Sequence, residues 1–253
     1  MKRYIYLLFI LFLLNCDNER IVQLPEIENA KITEVKDVSP AYIFYDETQP
    51  DSTLFNRKNL IGTTNWLVNV DKRLTLKQAI PHIQYLQDKR KKASMHKNED
   101  AKNYFTCNDT SMGSLGFVEF TDVNYIFSKN NIDLKTNLKI NDLKQIQRTP
   151  KDSINFFERL SGIHYVDADL KFGFENDAYI IFEAPYVLNV SIKKSIFFDY
   201  LNSRMENPIL GNTFKFKLHF SSSVSFKEYI SIKSYLNKLD NKMYIIESDE
   251  FIY

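Results

Sequence analysis

Glycine is scarce in this chain, with 6 in 253 residues. Neither a phosphate-cradling loop nor a G-x-S-x-G elbow is present, so nucleotide hydrolysis on a P-loop and serine-hydrolase chemistry on an elbow have no foundation here. Cysteine is scarcer still: Cys16 and Cys107 are the whole complement, which excludes a disulfide-built fold. The four histidines, His82, His96, His164 and His219, form no helical metal pair and flank no cysteine pair, so neither zinc nor any other cofactor is expected. Charge of one sign is missing as well. Lys and Arg total 33 against 32 Asp and Glu, which gives no basic surplus for binding nucleic acid and no acidic tail. What the chain does have is 44% hydrophobic residues, with 20 Phe and 15 Tyr, ample for a globular core.

The first residues, MKRYIYLLFILFLLNC, place Lys2 and Arg3 before an uncharged apolar run from Tyr4 to Leu14. A membrane span needs roughly 20 apolar residues, so this run is too short to cross and reads as an export signal over 1–15. The arrangement resembles a bacterial lipoprotein signal, in which a leucine-rich core leads to a cysteine that receives lipid, here Cys16. The match is partial, because Leu14 is bulkier than usual and Asn15 stands where Gly, Ala or Ser is commoner. The resemblance implies a palmitate-type lipid on Cys16 and a location in the cell envelope, on the periplasmic or surface side. Acyl chains contribute about 0.8 kcal/mol per buried methylene, and several chains hold a soluble domain firmly. Cleavage before Cys16 would leave 31 basic and 32 acidic residues, a net charge of about −1.

Along the remainder, 16–38 reads as a tether and 39–127 as a first α/β unit. Residues 128–212 read as intervening helices and hairpin, and 213–253 as a second unit. Strands are expected at AYIFYDE (41–47), NWLVNV (65–70), LGFVEF (115–120), FKFKLHF (214–220) and KMYIIES (242–248). HYVDADLKFGF and AYIIFEA read as a hairpin. Leu76, Ala79, Ile80, Ile83 and Leu86 recur at helical spacing, with Pro81 able to limit or kink the first turns. Further helices are expected at 141–147, through INFFERL, over IKKSIFFDYLN and near 226–239. Lys91–Ser114 is polar and reads as a long insertion holding Cys107 as an unpaired loop thiol.

The chain also resembles itself. At an offset of 150, WLVNVDKRLTLKQAIPHIQYLQ lies over FKLHFSSSVSFKEYISIKSYLN, matching Lys77 to Lys227, Ile80 to Ile230, Tyr85 to Tyr235 and Leu86 to Leu236. Both helices open on a capping box, Thr75–Gln78 and Ser225–Glu228, in which hydroxyl and N3 side chain satisfy each other's backbone N–H. At an offset of 128, FVEFTDVNY lies over IIESDEFIY, which would place 22 extra residues in the polar stretch of the first copy. The fold expected is therefore α+β, built from two related β-α-β units packed together, with a hairpin and helices between them. Such a module is similar to the periplasmic domain of the ExbD/TolR family, over at most 65–90 with 115–125, and 215–253. That family's spanning helix carries an aspartate for proton coupling, whereas Tyr4–Leu14 is short and contains none, so proton coupling does not carry over.

Candidate chemistry is thin. Asp167 and Asp169 in VDAD share one face of a strand, where they could bind a hard cation or act as an acid/base pair, or be the wet face of a hairpin. Asn98-Glu99-Asp100 and Cys107–Asp109 lie in the supposed insertion, a place to look for a specific contact. The sequence favours an envelope lipoprotein with an accessory or interaction role and a protein partner in the envelope. An exported hydrolase with dispersed residues and a diverged ExbD/TolR-like component are the alternatives.

Overall fold

The computed structural model describes residues 20–92, 98–128, 138–139, 165–183, 188–206, 213–239 and 244–253. The expected export segment with Cys16, the histidines His96 and His164, and the helices expected at 141–147 and through INFFERL lie outside these residues.

The first sheet is built from β1 (Glu26–Ile27), β2 (Val38–Tyr45), β3 (Thr53–Asn56), β4 (Asn65–Val70), β5 (Asn103–Asp109) and β6 (Ser114–Glu119). Its order is β1–β5–β4–β2–β3, with β6 also paired to β5. The second sheet runs β7–β13–β12–β9–β10–β11–β8. Its strands are β7 (Asn124–Phe127), β8 (Leu138–Lys139), β9 (Tyr165–Phe172), β10 (Ala178–Glu183), β11 (Leu188–Lys193), β12 (Thr213–Phe220) and β13 (Tyr244–Ile252). Helices α1 (Leu76–Lys92), α2 (Lys194–Glu206) and α3 (Phe226–Lys238) complete the described elements. The architecture is α+β with two similar sheet units.

The similarity is one of topology. Strands β2, β4 and β5 pair in parallel and β3 adds to β2 antiparallel. Strands β9, β12 and β13 likewise pair in parallel and β10 adds to β9 antiparallel. Helix α1 links β4 to β5, and α3 links β12 to β13. Period-2 patterning explains the strands: Ala41 and Ile43, Trp66, Val68 and Val70, and Leu170 and Phe172 all turn into one core.

The two copies meet through a symmetric set of backbone hydrogen bonds. Thr75 and Ser225 form an isolated antiparallel bridge. The Leu76 N–H donates to Val224 O at 2.9 Å and the Phe226 N–H to Leu74 O at 2.6 Å. The Lys77 N–H donates to Ser222 O at 2.9 Å, and the Lys227 N–H donates to Lys72 O at 3.2 Å. Moving either bond of a pair by 150 positions generates the other. These donors belong to the first turns of the helices, where no intrahelical partner exists, so each copy satisfies the orphan N–H groups of its twin. The pattern of burial over 72–80 repeats residue for residue over 222–230.

Each helix realises one half of the capping box read from the sequence. In α3 the Glu228 N–H donates to Ser225 Oγ at 3.2 Å, while the Glu228 carboxylate turns away to Tyr179 Oη and Lys194 Nζ, at 2.7 and 2.8 Å. In α1 the Gln78 Oε1 accepts from the Thr75 N–H at 2.8 Å and from its hydroxyl at 2.9 Å. Pro81 is accommodated inside α1 without ending it.

Four readings need correction. The stretch Lys91–Ser114 is no polar insertion, because it contains β5, which pairs with β1, β4 and β6 at the heart of the first sheet. Its polar residues find partners elsewhere in the chain: Asn103 Oδ1 accepts from Arg90 Nε at 2.8 Å, and Asp109 Oδ2 accepts from the Ala30 N–H at 2.7 Å. The strand answering β13 is consequently β5, since Asn103 stands beside Trp66 as Ile246 stands beside Phe216, and the offset of 128 with its 22 extra residues is discarded. Residues 20–37 do not hang free as a tether: Gln23 donates its N–H to Asp71 Oδ2, Ile27 is buried and Ile32 bridges to Phe117. Finally, Cys107 is not a loop thiol but a buried member of β5.

The units are also interlocked. Strand β7, which follows the first unit, adds in parallel to β13 in the second sheet, with Tyr125 beside Glu250. Phe105 of β5 stacks on Phe120 at 3.9 Å and meets Phe226 of α3 edge-on at 5.2 Å. Contacts of this kind contribute about 0.5–1.5 kcal/mol each beyond area burial. Two close approaches leave no room for a Cβ. At Gly116 it would fall 2.5 Å from Ala30 Cβ, and at Gly173, where φ is +76°, it would fall 2.1 Å from Val224 Cγ2.

Candidate functional site: the outer face of the second sheet

Alternation along β9 sends Ala168, Leu170 and Phe172 into the core and leaves Asp167, Asp169 and Lys171 on the opposite face. The neighbouring strand β12 does the same with Lys217 and His219, and β13 with Phe251. The parallel register sets Lys217 beside Asp169 and His219 beside Lys171. The two aspartates thus share a face, as the sequence indicated, but they part company there. Asp167 is exposed, whereas Asp169 lies on the diagonal to His219, with Oδ1 at 3.4 Å from Nε2.

His219 is held through one nitrogen and its ring face. Its Nδ1 shares a hydrogen bond of 3.1 Å with Tyr253 Oη, and its ring stacks on Phe251 with centroids 5.0 Å apart. The imidazole is 8% exposed. Burial raises the Tyr253 phenol above its ordinary pKa, and the Asp169 charge acts in the same direction while Ser128 opposes it. The result is a row of carboxylate on β9, imidazole on β12 and phenol just past the end of β13.

Such a row can hold or pass a proton, but it lacks the other parts of a catalytic site. His219 Nδ1 is taken up by Tyr253 Oη, while the buried Nε2 makes no hydrogen bond and has the Asp169 carboxylate 3.4 Å away. The nearby Ser221 and Ser223 hydroxyls bond each other at 2.7 Å instead of the histidine. Cys107 is distant on the other sheet, and burial pushes its thiol pKa far up, opposite to what a nucleophile needs. A cleft of about 230 Å³ lies elsewhere, between Ile27, Ala30 and Ile32, Phe117 of β6, and Ser234 of α3. That volume is below the usual range for ligand pockets, and neither Asp169 nor His219 lines it. Among the described residues no group of three or more His, Cys, Asp and Glu could hold a metal ion, and no helix is long and apolar enough to cross a membrane.

The remaining sequence candidates are structural. Asp109 accepts from Ser111 Oγ at 2.6 Å and from the N–H groups of Ala30, Ser111 and Met112. These bonds, the Ser111 hydroxyl foremost, hold its carboxyl down at about 2. Asn98 donates to Thr63 O. His82 packs on Phe55 with centroids 4.8 Å apart, and burial lowers its pKa.

The partnership of Asp169 with His219 and Tyr253 was hidden in the sequence, because it depends on the register between strands about fifty and eighty residues apart. A surface cluster was hidden too. Arg57 lies 4.0 Å from the Tyr85 ring centroid and 5.6 Å from that of Phe55, beside the edge strand β3 and with Tyr85 45% exposed. No family model matches this chain, and neither the curated proteins nor the solved structures yield a match.

Proposed function

We propose that this chain is an envelope lipoprotein, anchored through lipid on Cys16, that serves as a non-catalytic interaction or accessory protein. The observation that carries the anchoring half is the order of the first sixteen residues: two cations, an apolar run too short to span, and then cysteine. The interaction half draws support from the Phe55–Arg57–Tyr85 cluster. Arginine and aromatic side chains are the types that dominate binding energy at protein interfaces. Here they flank β3, which ends the sheet order and offers backbone groups to a partner. The arrangement around Asp169 and His219 supports the non-catalytic reading, since the histidine is buried and neither residue lines the cleft.

The test is fractionation of cells expressing the wild type and Cys16→Ala, with intact mass of both. Lipidation requires that the wild type partition with membranes and carry the mass of acyl chains, and that the variant lose both. A variant that stays membrane-bound with the same mass overturns the anchor. For the partner, Tyr85→Ala and Arg57→Ala are expected to reduce the size of the detergent-extracted complex on sedimentation while leaving the folded state intact.

A further inference from the structure

The docking of residues 20–27 fixes which end of the domain a lipid on Cys16 would hold against the bilayer. Three contacts seat this segment at the end of the first sheet where β2 and β4 finish. The Gln23 N–H donates to Asp71 Oδ2 at 3.1 Å, the Lys72 N–H donates to Gln23 O at 2.7 Å, and Arg20 Nε lies 3.6 Å from Asp46 Oδ2. Three residues lie between Cys16 and Arg20, and the four steps of chain span at most about 14 Å even when fully extended. A lipidated Cys16 therefore has no freedom to let the domain tumble at a distance.

The surface at that end has the composition of an interfacial zone. Ile21 is 76% exposed, the highest value among the large hydrophobic residues of the described chain. The same end carries Arg20, Tyr45 and Arg73, the last with its guanidinium 4.6 Å from the Tyr45 ring centroid. An aliphatic side chain, an amphipathic ring and guanidinium groups are what the headgroup layer accommodates, the apolar parts dipping inward and the charged ends staying wet. This surface also carries acids, among them the exposed Asp51, whose Oδ1 accepts from the Thr53 N–H. Asp46 pairs with Arg20, Asp71 is buried against Arg73 at 2.7 Å, and Glu47 accepts from the Tyr45 hydroxyl.

We infer that the face formed by Arg20, Ile21, Tyr45, Arg73 and the 46–52 turn lies on the membrane surface, with the opposite end of β2 directed away from it. The inference rests on the lipoprotein reading. Ile61, whose N–H donates to Ser39 Oγ near the start of β2, marks the distal end. The seven steps from Val38 to Tyr45 separate the two ends by about 23 Å.

The experiment uses the full-length protein purified from membranes with its lipid and placed in vesicles containing a headgroup nitroxide lipid. A fluorophore is attached through Thr48→Cys or through Ile61→Cys, both at exposed positions, while the buried Cys107 stays unlabelled. Quenching several-fold stronger at position 48 than at 61 is the expected result. Equal quenching, or stronger quenching at 61, in protein that carries the lipid mass overturns the orientation and leaves the lipoprotein reading standing. Absence of the lipid mass overturns both. Inserting twenty Gly/Ser residues between Asn18 and Glu19 is expected to abolish the difference between labels; persistence of the difference would show that the leash does not set it.

Discussion

Tyr229 donates its hydroxyl to Glu250 Oε2 at 2.8 Å inside the core of the second unit, and Lys233 holds the other oxygen of the same carboxylate. Tyr125, arriving on β7, bonds the Tyr229 hydroxyl at 3.0 Å, so one buried network joins α3, β13 and the exchanged strand. Lys233→Met leaves the Glu250 carboxylate buried without its cation and should cost about 3–5 kcal/mol. Tyr125→Phe removes one neutral hydrogen bond and should cost about 1 kcal/mol. Urea unfolding midpoints of the two variants give the comparison, and equal losses would contradict it.

The divided capping boxes predict opposite sensitivities in the two helices. Ser225→Ala removes the acceptor of the Glu228 N–H and should cost about 1 kcal/mol. In α1 the hydroxyl is the lesser member, because Gln78 accepts both bonds from Thr75 and also donates to Asp51 O at 2.7 Å. Gln78→Ala should therefore destabilise more than Thr75→Ala in thermal unfolding. The reverse order would mean that the N3 side chain does not anchor this turn.

Acid should weaken the fold in two separate windows. His82 has its pKa lowered by burial, so the folded state resists a proton that the unfolded chain takes up near pH 6.5. Stability is complete above that value and falls as pH drops below it. His82→Gln should flatten the slope of unfolding free energy between about pH 7 and pH 5. Asp109 acts lower down. Its carboxyl is held at about 2 in the folded chain, so its contribution is present above about pH 4, the unfolded value, and is lost as pH falls toward the folded one. Asp109→Asn should remove that second decline and leave the first unchanged.

Cys107 offers a probe of global opening. It is buried, and desolvation raises its thiol pKa. A disulfide reagent at pH 8 is expected to leave it unmodified in the native protein and to react fully in urea, because the thiolate is the reacting species. Prompt native reaction would place β5 in a locally opening segment.

The sequence carried the three described helices and several strands well, for identifiable reasons. Residues 65–70 are a strand at the expected positions because Trp66, Val68 and Val70 sit at alternate buried places along it. The helix starts were legible through Thr75 and Ser225, whose hydroxyls or backbones have local partners. Strand β5 was illegible, since NYFTCND looks wet until Arg90 and the N–H of Ala30 are brought to Asn103 and Asp109 from elsewhere. The same cause hid the site. Asp167 and Asp169 could be placed on one face by period alone, but only register across β12 and β13 selects Asp169 and supplies His219 and Tyr253. Misplacing β5 also misaligned the repeat, because the strand next found, LGFVEF, is the antiparallel β6 and not the crossover partner of β4.

The exchange of β7 has a consequence for the order in which the chain can be completed. Asn124 and Asp249 bond side by side yet stand 125 residues apart in sequence, and β13 lies between β7 and β12. Until β13 arrives, β7 has no neighbour to pair with in its sheet, and the first unit must leave that strand waiting. Pairings of such separation are slow to form because a long loop is closed before any contact rewards it. Synthesis and folding are therefore decoupled for this molecule, and the interval in which an unpaired strand edge is open to other chains is written into its topology.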